Sequence, residues 1–286
     1  MSIHLVRPDD HTELHVESIG GIGGDPLVLL GGATWSKDWW DDRLCALFAD
    51  AGFRVVRFDQ RDTGESTFWP PGGPGYTGAD LVSDVVAVMD GLELGGAHVV
   101  GLSMGGGLAQ QLAFRYSSRV LSSTLMSTSP AGPVRSELPG PTPAIARLFT
   151  EAADEPDWAD RAAVVEHLVE GERPFAGPGS FDEDVVRATA GRVVDRTRSL
   201  PSAMTNHFLL SDGGAAPVEL SELGSRPTLV VHGTADPLFP VEHGRALAEH
   251  IPGAELLELA DVGHQLPPPR HWDALVGAVA RQRELR

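Results

Sequence analysis

Short, continuous apolar runs alternate along this chain with longer segments of helical periodicity, and this alternation restricts the fold more than any other feature. In the first half the runs are LVLL, RVVRF, HVVGL and LSSTLMS, between Leu27 and Ser127. Runs this short, apolar at successive positions, are typical of strands buried on both faces. The segment GADLVSDVVAVMDGL places Leu81, Val85 and Met89 on one helical face. This order predicts an α/β fold, a mostly parallel sheet with helices on both faces.

The alternation stops in the middle of the chain and then returns. From about residue 131 to residue 218 the sequence is rich in Pro, Gly, Asp and Glu, with helical patterns such as DRAAVVEHLVEG but no buried-strand pattern. The apolar faces of those helical patterns distinguish this block from a disordered linker. After it come TLVVHG, a helix, ELLELA and a terminal helix. We therefore expect a core made of residues 1–130 and 219–286, and a helical cap made of residues 131–218.

The composition excludes several classes of partner. The 286 residues include 22 basic and 40 acidic ones, which gives a net charge of -18. Such a surface repels nucleic-acid phosphates and anionic lipid, so we expect neither as a partner. No apolar run approaches the ~18 residues of a membrane span and no signal-peptide pattern is visible, so the expected location is cytoplasmic. We expect a monomer or homodimer in which Cys45, the single cysteine, is a packing residue.

The stretch GLSMGG directly follows one of the apolar runs and places Ser103 among small residues. A serine on a tight turn at the carboxyl end of a parallel strand lies where active sites form in such sheets. The turn leaves little room for neighbouring Cβ atoms, which explains Gly101 and Gly105 in a G-x-S-x-G pattern. The N-terminus of the following helix also favours a developing anion. The alternative is that Ser103 is an ordinary helix N-cap.

Two later residues are placed to activate Ser103. A serine hydroxyl is a weak nucleophile until a base removes its proton, and the partners of such an elbow follow in the order acid, then histidine. The stretch GTADPLFP places Asp236 after the run TLVVHG, and DVGHQLP places His264 after ELLELA. Both loops belong to the edge of the sheet that carries Ser103. The sequence thus predicts a Ser103–His264–Asp236 triad, with Asp261 as a turn residue.

The remaining histidines are weaker candidates for catalysis. His98 and His232 lie in predicted core strands and are expected to be structural. Five others lie on helical segments and are expected to have solvent access: His167, His207, His243, His250 and His271. The N-terminal cluster DDHTELH has metal-ligand residue types without a converging spacing, so no metal site is expected.

Over essentially its whole length the chain resembles the α/β-hydrolase family. The stretches that carry the resemblance are LLGGATW, RFDQRDTGEST, HVVGLSMGG, LVVHGTADPLFP and GHQLP. The resemblance implies an α/β-hydrolase fold, with a mostly parallel eight-stranded sheet flanked by helices and an inserted helical cap, and it implies no cofactor. It also implies an oxyanion hole formed by the backbone N–H groups of Met104 and of Gly32 or Ala33. Many relatives begin this loop with His-Gly, where this chain has Gly31-Gly32.

The stretch RFDQRDTGEST narrows the resemblance to one branch of the family. Most relatives carry glycine where Asp62 stands, and the RDTG form together with GLSMG and GHQLP is similar to the branch that holds the aclacinomycin methylesterases. Those enzymes hydrolyse the methyl ester of a glycosylated polyketide, so the resemblance implies a small-molecule ester substrate, with Trp35 placed to stack on it. The alternatives are that Trp35 packs against a helix and that Asp59, Arg61 and Asp62 form a local polar network in a structural turn.

Several functions remain open at this point. The leading hypothesis is a serine carboxylesterase that works through an acyl-enzyme. The same triad in related enzymes performs cofactor-free, haloperoxidase-like perhydrolysis, and other C–O or C–N hydrolases share the fold. Epoxide hydrolases and dehalogenases carry an aspartate at the elbow, so Ser103 argues against both. A non-catalytic ligand receptor is the alternative outside enzymology.

Overall fold

The computed structural model describes residues 1–151 and 154–285, and an eight-stranded sheet forms its centre. The strand order is β1-β2-β4-β3-β5-β6-β7-β8; β2 is antiparallel to both of its neighbours, and the other adjacent pairs are parallel. The strands are β1 (Ser2–Val6), β2 (Leu14–Ile19), β3 (Asp25–Leu30), β4 (Phe53–Phe58), β5 (Ala97–Leu102), β6 (Val120–Met126), β7 (Thr228–Gly233) and β8 (Glu255–Leu259). The expected α/β architecture and its mostly parallel eight-stranded sheet are confirmed.

Helices cover both faces of the sheet and fill the interval between β6 and β7. They are α1 (Asp42–Asp50), α2 (Gly78–Gly91), α3 (Met104–Arg115), α4 (Pro143–Thr150), α5 (Arg161–Glu172), α6 (Glu183–Arg196), α7 (Leu200–Thr205), α8 (Leu220–Leu223), α9 (Glu242–His250) and α10 (Trp272–Arg281). Among the described residues, no helix combines the length and the apolar character that a membrane span requires.

The apolar strands supply two core layers because successive residues of a strand point to opposite faces. In β3, Val28 and Leu30 face the layer that contains α2, α3 and α9, whereas Leu27 and Leu29 face the layer of α1 and α10. Cys45 of α1 is fully buried in the second layer, where burial raises the pKa of its thiol to about 12. The prediction that Cys45 is a packing residue is confirmed.

Strand β1 was not predicted from the sequence. It lies at the edge of the sheet and pairs only with β2, and Val6 is its one buried residue. A strand with one buried side chain has neither the continuous apolar run of a central strand nor a full alternation, so its sequence carries no clear signal.

Between β6 and β7, residues 143–151 and 154–209 form what we call the helical segment, which contains α4 to α7 and no strand among its described residues. Its helices α5 and α6 pack against each other through a small apolar cluster of their own. That cluster consists of Val165, Leu168, Val169, Ala190 and Val193. The helical segment therefore has a core of its own. Trp39 packs against both this cluster and a core layer of the sheet, and polar contacts also join the segment to the sheet.

Asp59, directly after β4, makes the first of these contacts. Its side chain is fully buried, and Oδ2 accepts hydrogen bonds from Arg196 Nη2 of α6 at 2.6 Å and from Lys37 Nζ at 3.3 Å. Lys37 is the only lysine of the chain. A buried carboxylate requires such partners, because an unpaired charge inside a protein is strongly unfavourable. Asp59 thus ties the end of α6 to the carboxyl edge of the sheet.

Asp62 makes the second contact, three residues further along. Its Oδ2 accepts from Asn206 Nδ2 of the helical segment at 2.9 Å and from Tyr76 Oη at 2.6 Å, and its Oδ1 accepts from Trp69 N–H at 2.7 Å. The backbone of Asp62 has φ 68, in the left-handed region that favours glycine. Asp62 adopts this strained conformation, and its carboxylate is a buried hydrogen-bond acceptor that glycine would not provide.

His207 makes the third contact and corrects an expectation. Its Nε2–H donates to Arg61 O at 2.8 Å, and its Nδ1 accepts the Thr34 N–H at 3.0 Å. Burial lowers the pKa of His207, and only the neutral ring can donate through one nitrogen and accept through the other. The predicted solvent access is wrong for His207 and for His243, which are both buried. The hydrogen-bond partners of both rings lie more than a hundred residues away along the chain, so the local sequence gives no sign of this burial.

The role of Asp62 gives a prediction about stability. Asp62→Gly removes the backbone strain but leaves Tyr76 Oη and Asn206 Nδ2 without their buried acceptor, so we expect the free energy of unfolding to fall by about 2–4 kcal/mol. Asp261→Gly is the matched control: Asp261 is exposed and has φ 58, so this change relieves the same kind of strain. We expect it to alter stability by less than ~1 kcal/mol. Urea unfolding measures both, and equal effects would contradict the anchoring role.

Candidate active site

Ser103 occupies the turn between β5 and α3 in a strained conformation, with φ 55 and ψ −117. Its N–H donates to Met126 O at 3.0 Å, and its carbonyl accepts from Gly106 N–H at 2.9 Å and from Thr128 Oγ1 at 2.8 Å. Such strain persists only where the surroundings fix the backbone, and it is concentrated at functional sites. The predicted turn geometry is therefore present, with the serine side chain at the carboxyl edge of the sheet.

The glycines on either side of Ser103 permit close approach of the backbone. A Cβ atom on Gly101 would lie 2.1 Å from Gly105 O, and one on Gly105 would lie 2.2 Å from Leu30 O. Non-bonded heavy atoms do not approach each other this closely, so any larger residue would push α3 away from the sheet. The G-x-S-x-G spacing follows from the packing of α3 against β3 and β5.

His264 and Asp236 lie next to Ser103 in a continuous chain of hydrogen bonds. His264 Nε2 is 2.9 Å from Ser103 Oγ, and His264 Nδ1 is 2.9 Å from Asp236 Oδ2. The other oxygen of Asp236 accepts from the N–H groups of Leu238 and Phe239, at 2.9 and 2.8 Å. The structure brings the three predicted residues together, in an arrangement in which His264 can take the serine proton.

His232 also approaches the acid but has a different partner. Its Nε2 is 3.6 Å from Asp236 Oδ2 and only 2.7 Å from Phe239 O, to which it donates. Burial lowers the pKa of His232 and keeps the ring neutral. His232 thus fits the predicted structural role. Asp261 lies on an exposed turn, as predicted.

The loop that carries His264 is fastened to the helical segment. The His264 N–H donates to Phe175 O at 2.7 Å. The Gln265 side chain accepts from Gly177 N–H at 2.8 Å and donates to Ser180 O at 3.1 Å. Sequence reasoning missed Gln265, because its partners lie more than eighty residues away along the chain. The position of the imidazole therefore depends on the position of the helical segment.

The residues that the resemblance assigns to an oxyanion hole lie close to Ser103. Gly32 and Ala33 line the same cavity as Ser103, and a Cβ on Gly32 would lie 3.5 Å from Ser103 Cβ. Met104 is the first residue of α3, so its N–H belongs to the turn that has no intrahelical acceptor. Gln60 Nε2 donates to Gly31 O at 3.2 Å and holds the loop. The use of these N–H groups in catalysis stays a prediction.

A cavity of about 110 Å³ opens beside Ser103. Its walls are largely aliphatic and aromatic side chains: Trp35, Leu102, Phe149, Phe175, Phe208 and Leu238. Trp35 also stacks on Trp39, with ring centroids 5.6 Å apart. Trp35 therefore both packs in the core and lines the cavity, and its contact with a substrate stays a prediction. Sequence reasoning missed Glu172, which lines this cavity from the end of α5.

Comparisons with known proteins agree with this fold. A family model described as alpha/beta hydrolase fold matches residues 25–267. Rhodomycin D methylesterase DauP of Streptomyces sp. (strain C5) is 30% identical over 95% of both chains. The putative non-heme bromoperoxidase BpoC of Mycobacterium tuberculosis (strain ATCC 25618 / H37Rv) is 27% identical over 84% of this chain and 87% of its own. The crystal structure of the enol-lactonase from Burkholderia xenovorans LB400 matches with a TM-score of 0.70 and 27% identity, and covers 97% of this chain and 98% of its own.

The packing at the turn yields a prediction with an internal control. Gly105→Ala places a methyl group against Leu30 O, so we expect a loss of about 1–3 kcal/mol or more in unfolding free energy, together with a loss of ester hydrolysis. Gly107→Ala, in the same helix, meets no atom within 4 Å. It should leave activity intact and raise stability by up to ~1 kcal/mol, because alanine is the better helix former. Urea unfolding and initial rates measure both, and a harmless Gly105→Ala would refute the packing argument.

Proposed function

This chain belongs to the α/β-hydrolase family, and we propose that it acts as a serine carboxylesterase whose nucleophile is Ser103. The family and the methylesterase relative identify it as a carboxylic ester hydrolase. The observation that carries the assignment of residues is the pair of 2.9 Å hydrogen bonds that link Ser103, His264 and Asp236. An N-cap serine without a base would not need this arrangement.

In the proposed mechanism, His264 Nε2 accepts the proton of Ser103 Oγ while the oxygen attacks the ester carbonyl. Asp236 Oδ2 accepts from Nδ1–H, which fixes the tautomer of the imidazole and stabilises its cation. The N–H groups of Met104 and of Gly32 or Ala33 stabilise the oxyanion of the tetrahedral intermediate. His264 then protonates the leaving alcohol, and a water molecule activated by the same base releases the acid from the acyl-enzyme.

We propose that residues 131–218 form a cap that selects the substrate. The helical segment contributes Phe149, Glu172, Phe175 and Phe208 to the cavity at Ser103. Because these side chains belong to the helical segment and not to the triad, replacing them changes the walls of the cavity while Ser103, His264 and Asp236 are retained. Binding energy from such remote contacts can position a carbonyl against the nucleophile.

The proposed substrate is an ester of a small alcohol, with methanol as the leading candidate, on a bulky ring system. The methylesterase relative supports the methyl ester, and the aromatic walls support a flat acyl group. A second cavity of about 170 Å³ adjoins the first, and Trp35 and Glu172 line both. A leaving methanol needs little space, so the two cavities and their mouth remain for the acyl group.

Perhydrolysis by the same triad is the second candidate function, supported by the bromoperoxidase relative. In that reaction hydrogen peroxide, rather than water, would release the acyl group from Ser103. Comparing the turnover of peroxide and acetate with that of simple esters distinguishes the two activities. Labelling with a fluorophosphonate tests the alternative that the protein is a non-catalytic receptor, because a serine that is not activated would not react with the reagent.

The proposal predicts that Ser103→Ala abolishes ester hydrolysis. The loss should be on the order of 10⁶-fold in kcat, as for nucleophile removal in a serine protease. The fold should persist, because alanine keeps the Cβ and all backbone hydrogen bonds of residue 103. Initial rates on p-nitrophenyl acetate, with circular dichroism as the fold control, test this. Retention of more than a few per cent of activity would disprove the role of Ser103.

The substrate class predicts a preference that opposes intrinsic reactivity. A polycyclic methyl ester should exceed p-nitrophenyl acetate in kcat/KM despite its poorer leaving group, since each stacked ring adds about 0.5–1.5 kcal/mol beyond simple burial. Methanol release from anthracycline-type methyl esters, measured beside a panel of simple esters, gives the comparison. If kcat/KM is much higher for the acetates and no polycyclic ester is cleaved, the ring-ester proposal fails and the general esterase proposal stands.

A further inference from the structure

Glu172 is an acidic side chain in an otherwise largely apolar reaction cavity. It is the last residue of α5 and lines both the cavity at Ser103 and the adjoining one. Among the described residues around the cavity at Ser103, only Glu172 and His264 carry ionisable side chains. The proposed mechanism uses His264 and assigns nothing to Glu172.

The protein provides little that stabilises a charge on Glu172. A carboxylate at the C-terminal end of a helix meets the negative end of the helix dipole. The next residue, Arg173, is directed elsewhere and donates to Glu170 at 2.6 Å and to Glu183 at 2.9 Å. Burial raises the pKa of Glu172 to about 7, although the nearby His264 and Trp35 side chains act in the opposite direction. A residue held so unfavourably in a binding cavity is a candidate for a functional role.

We propose that Glu172 is a specificity-determining residue that favours esters whose acyl group carries an amine and disfavours those whose acyl group carries a carboxylate. This inference rests on the proposed esterase function. An ammonium group in the cavity supplies a positive charge and adds hydrogen-bond donors to the one that Trp35 already provides to Glu172. A substrate carboxylate would place two like charges together in surroundings of low polarity, where repulsion is strong.

The other charged groups around the two cavities do not reverse this preference. Arg43, at the start of α1, is the cation among the described residues that line the second cavity, and it pairs with Asp41 at 2.8 Å. Asp182, the N-cap of α6, adds a further carboxylate to the second cavity. With His264 neutral, as the mechanism requires before attack, the described side chains around the cavities carry a net negative charge.

Three series of methyl esters test the proposal, with acyl chains from butanoyl to octanoyl that end in ammonium, methyl or carboxylate. In the wild-type enzyme, kcat/KM for the best ammonium ester should be about tenfold higher than for its methyl-ended counterpart. For the carboxylate ester it should be about tenfold lower than for the methyl-ended one. Each tenfold difference corresponds to ~1.4 kcal/mol. Glu172→Gln should bring both ratios close to one. Glu170→Gln is the matched control: it lies on the same helix, outside both cavities, and should leave the ratios unchanged.

The pH dependence of the ratio provides a second readout. Glu172 becomes ionised as the pH rises through its pKa of about 7, so the preference for the ammonium ester over the methyl-ended one should grow from about pH 6 to about pH 8. Taking a ratio cancels the pH effects that the two substrates share. In Glu172→Gln the ratio should be constant over this range, because an amide does not titrate.

Binding measurements keep the inference separate from the esterase proposal. Calorimetry on Ser103→Ala with hexylamine and with hexanoate tests the charge preference without turnover, and Ser103→Ala/Glu172→Gln should lose it. Ester hydrolysis with equal ratios in the wild type and Glu172→Gln, or a wild-type preference for the carboxylate, overturns the inference and leaves the esterase proposal intact. Absence of any hydrolysis, with amine-selective binding that depends on Glu172, supports this site and contradicts the esterase proposal.

Discussion

The close contact between α3 and the sheet at Gly101 and Gly105 is the constraint on which the rest of the site depends. It forces the backbone of Ser103 into a conformation that costs about 1–3 kcal/mol for an ordinary residue. Hydrogen bonds offset that strain: the Ser103 N–H donates to Met126 O, and the Ser103 carbonyl accepts from Gly106 N–H and Thr128 Oγ1. The turn holds the hydroxyl out over the carboxyl edge of the sheet. Strands β6, β7 and β8 follow β5 in order, so the loops after β7 and β8 meet Ser103 there.

Much of this arrangement could be predicted from sequence because each part depends on local chemistry. A strand buried on both faces needs a continuous apolar run, and the residues after β7 and β8 must lie at one edge of a parallel sheet. The turn around Ser103 could be predicted because a position with no room for a Cβ requires glycine, which is visible in the sequence. Strand β1 lacked such a signal, since its side chains are mostly exposed.

What the sequence did not predict depends on contacts between distant parts of the chain. The polar network at Asp59 and Asp62 was foreseen as local, yet their partners Arg196 and Asn206 lie 137 and 144 residues away. The burial of His207 was missed for the same reason, because its ring bridges two loops of the core. Glu172 ends an acidic, partly exposed helix, so its sequence neighbours give no indication of a cavity.

The helical segment connects substrate selection to the geometry of the reacting groups. At one end, Arg196, Asn206 and His207 attach it to the loops after β3 and β4. At the other, Phe175 O holds the backbone of His264. Glu172 and Phe175 line the cavity between these attachments. A movement that enlarged the cavity for a bulky acyl group would pull on the imidazole and on the loop of Gly32 together. The polar anchors are paired at both ends, so the wall of the cavity and the catalytic geometry are fixed by the same set of bonds.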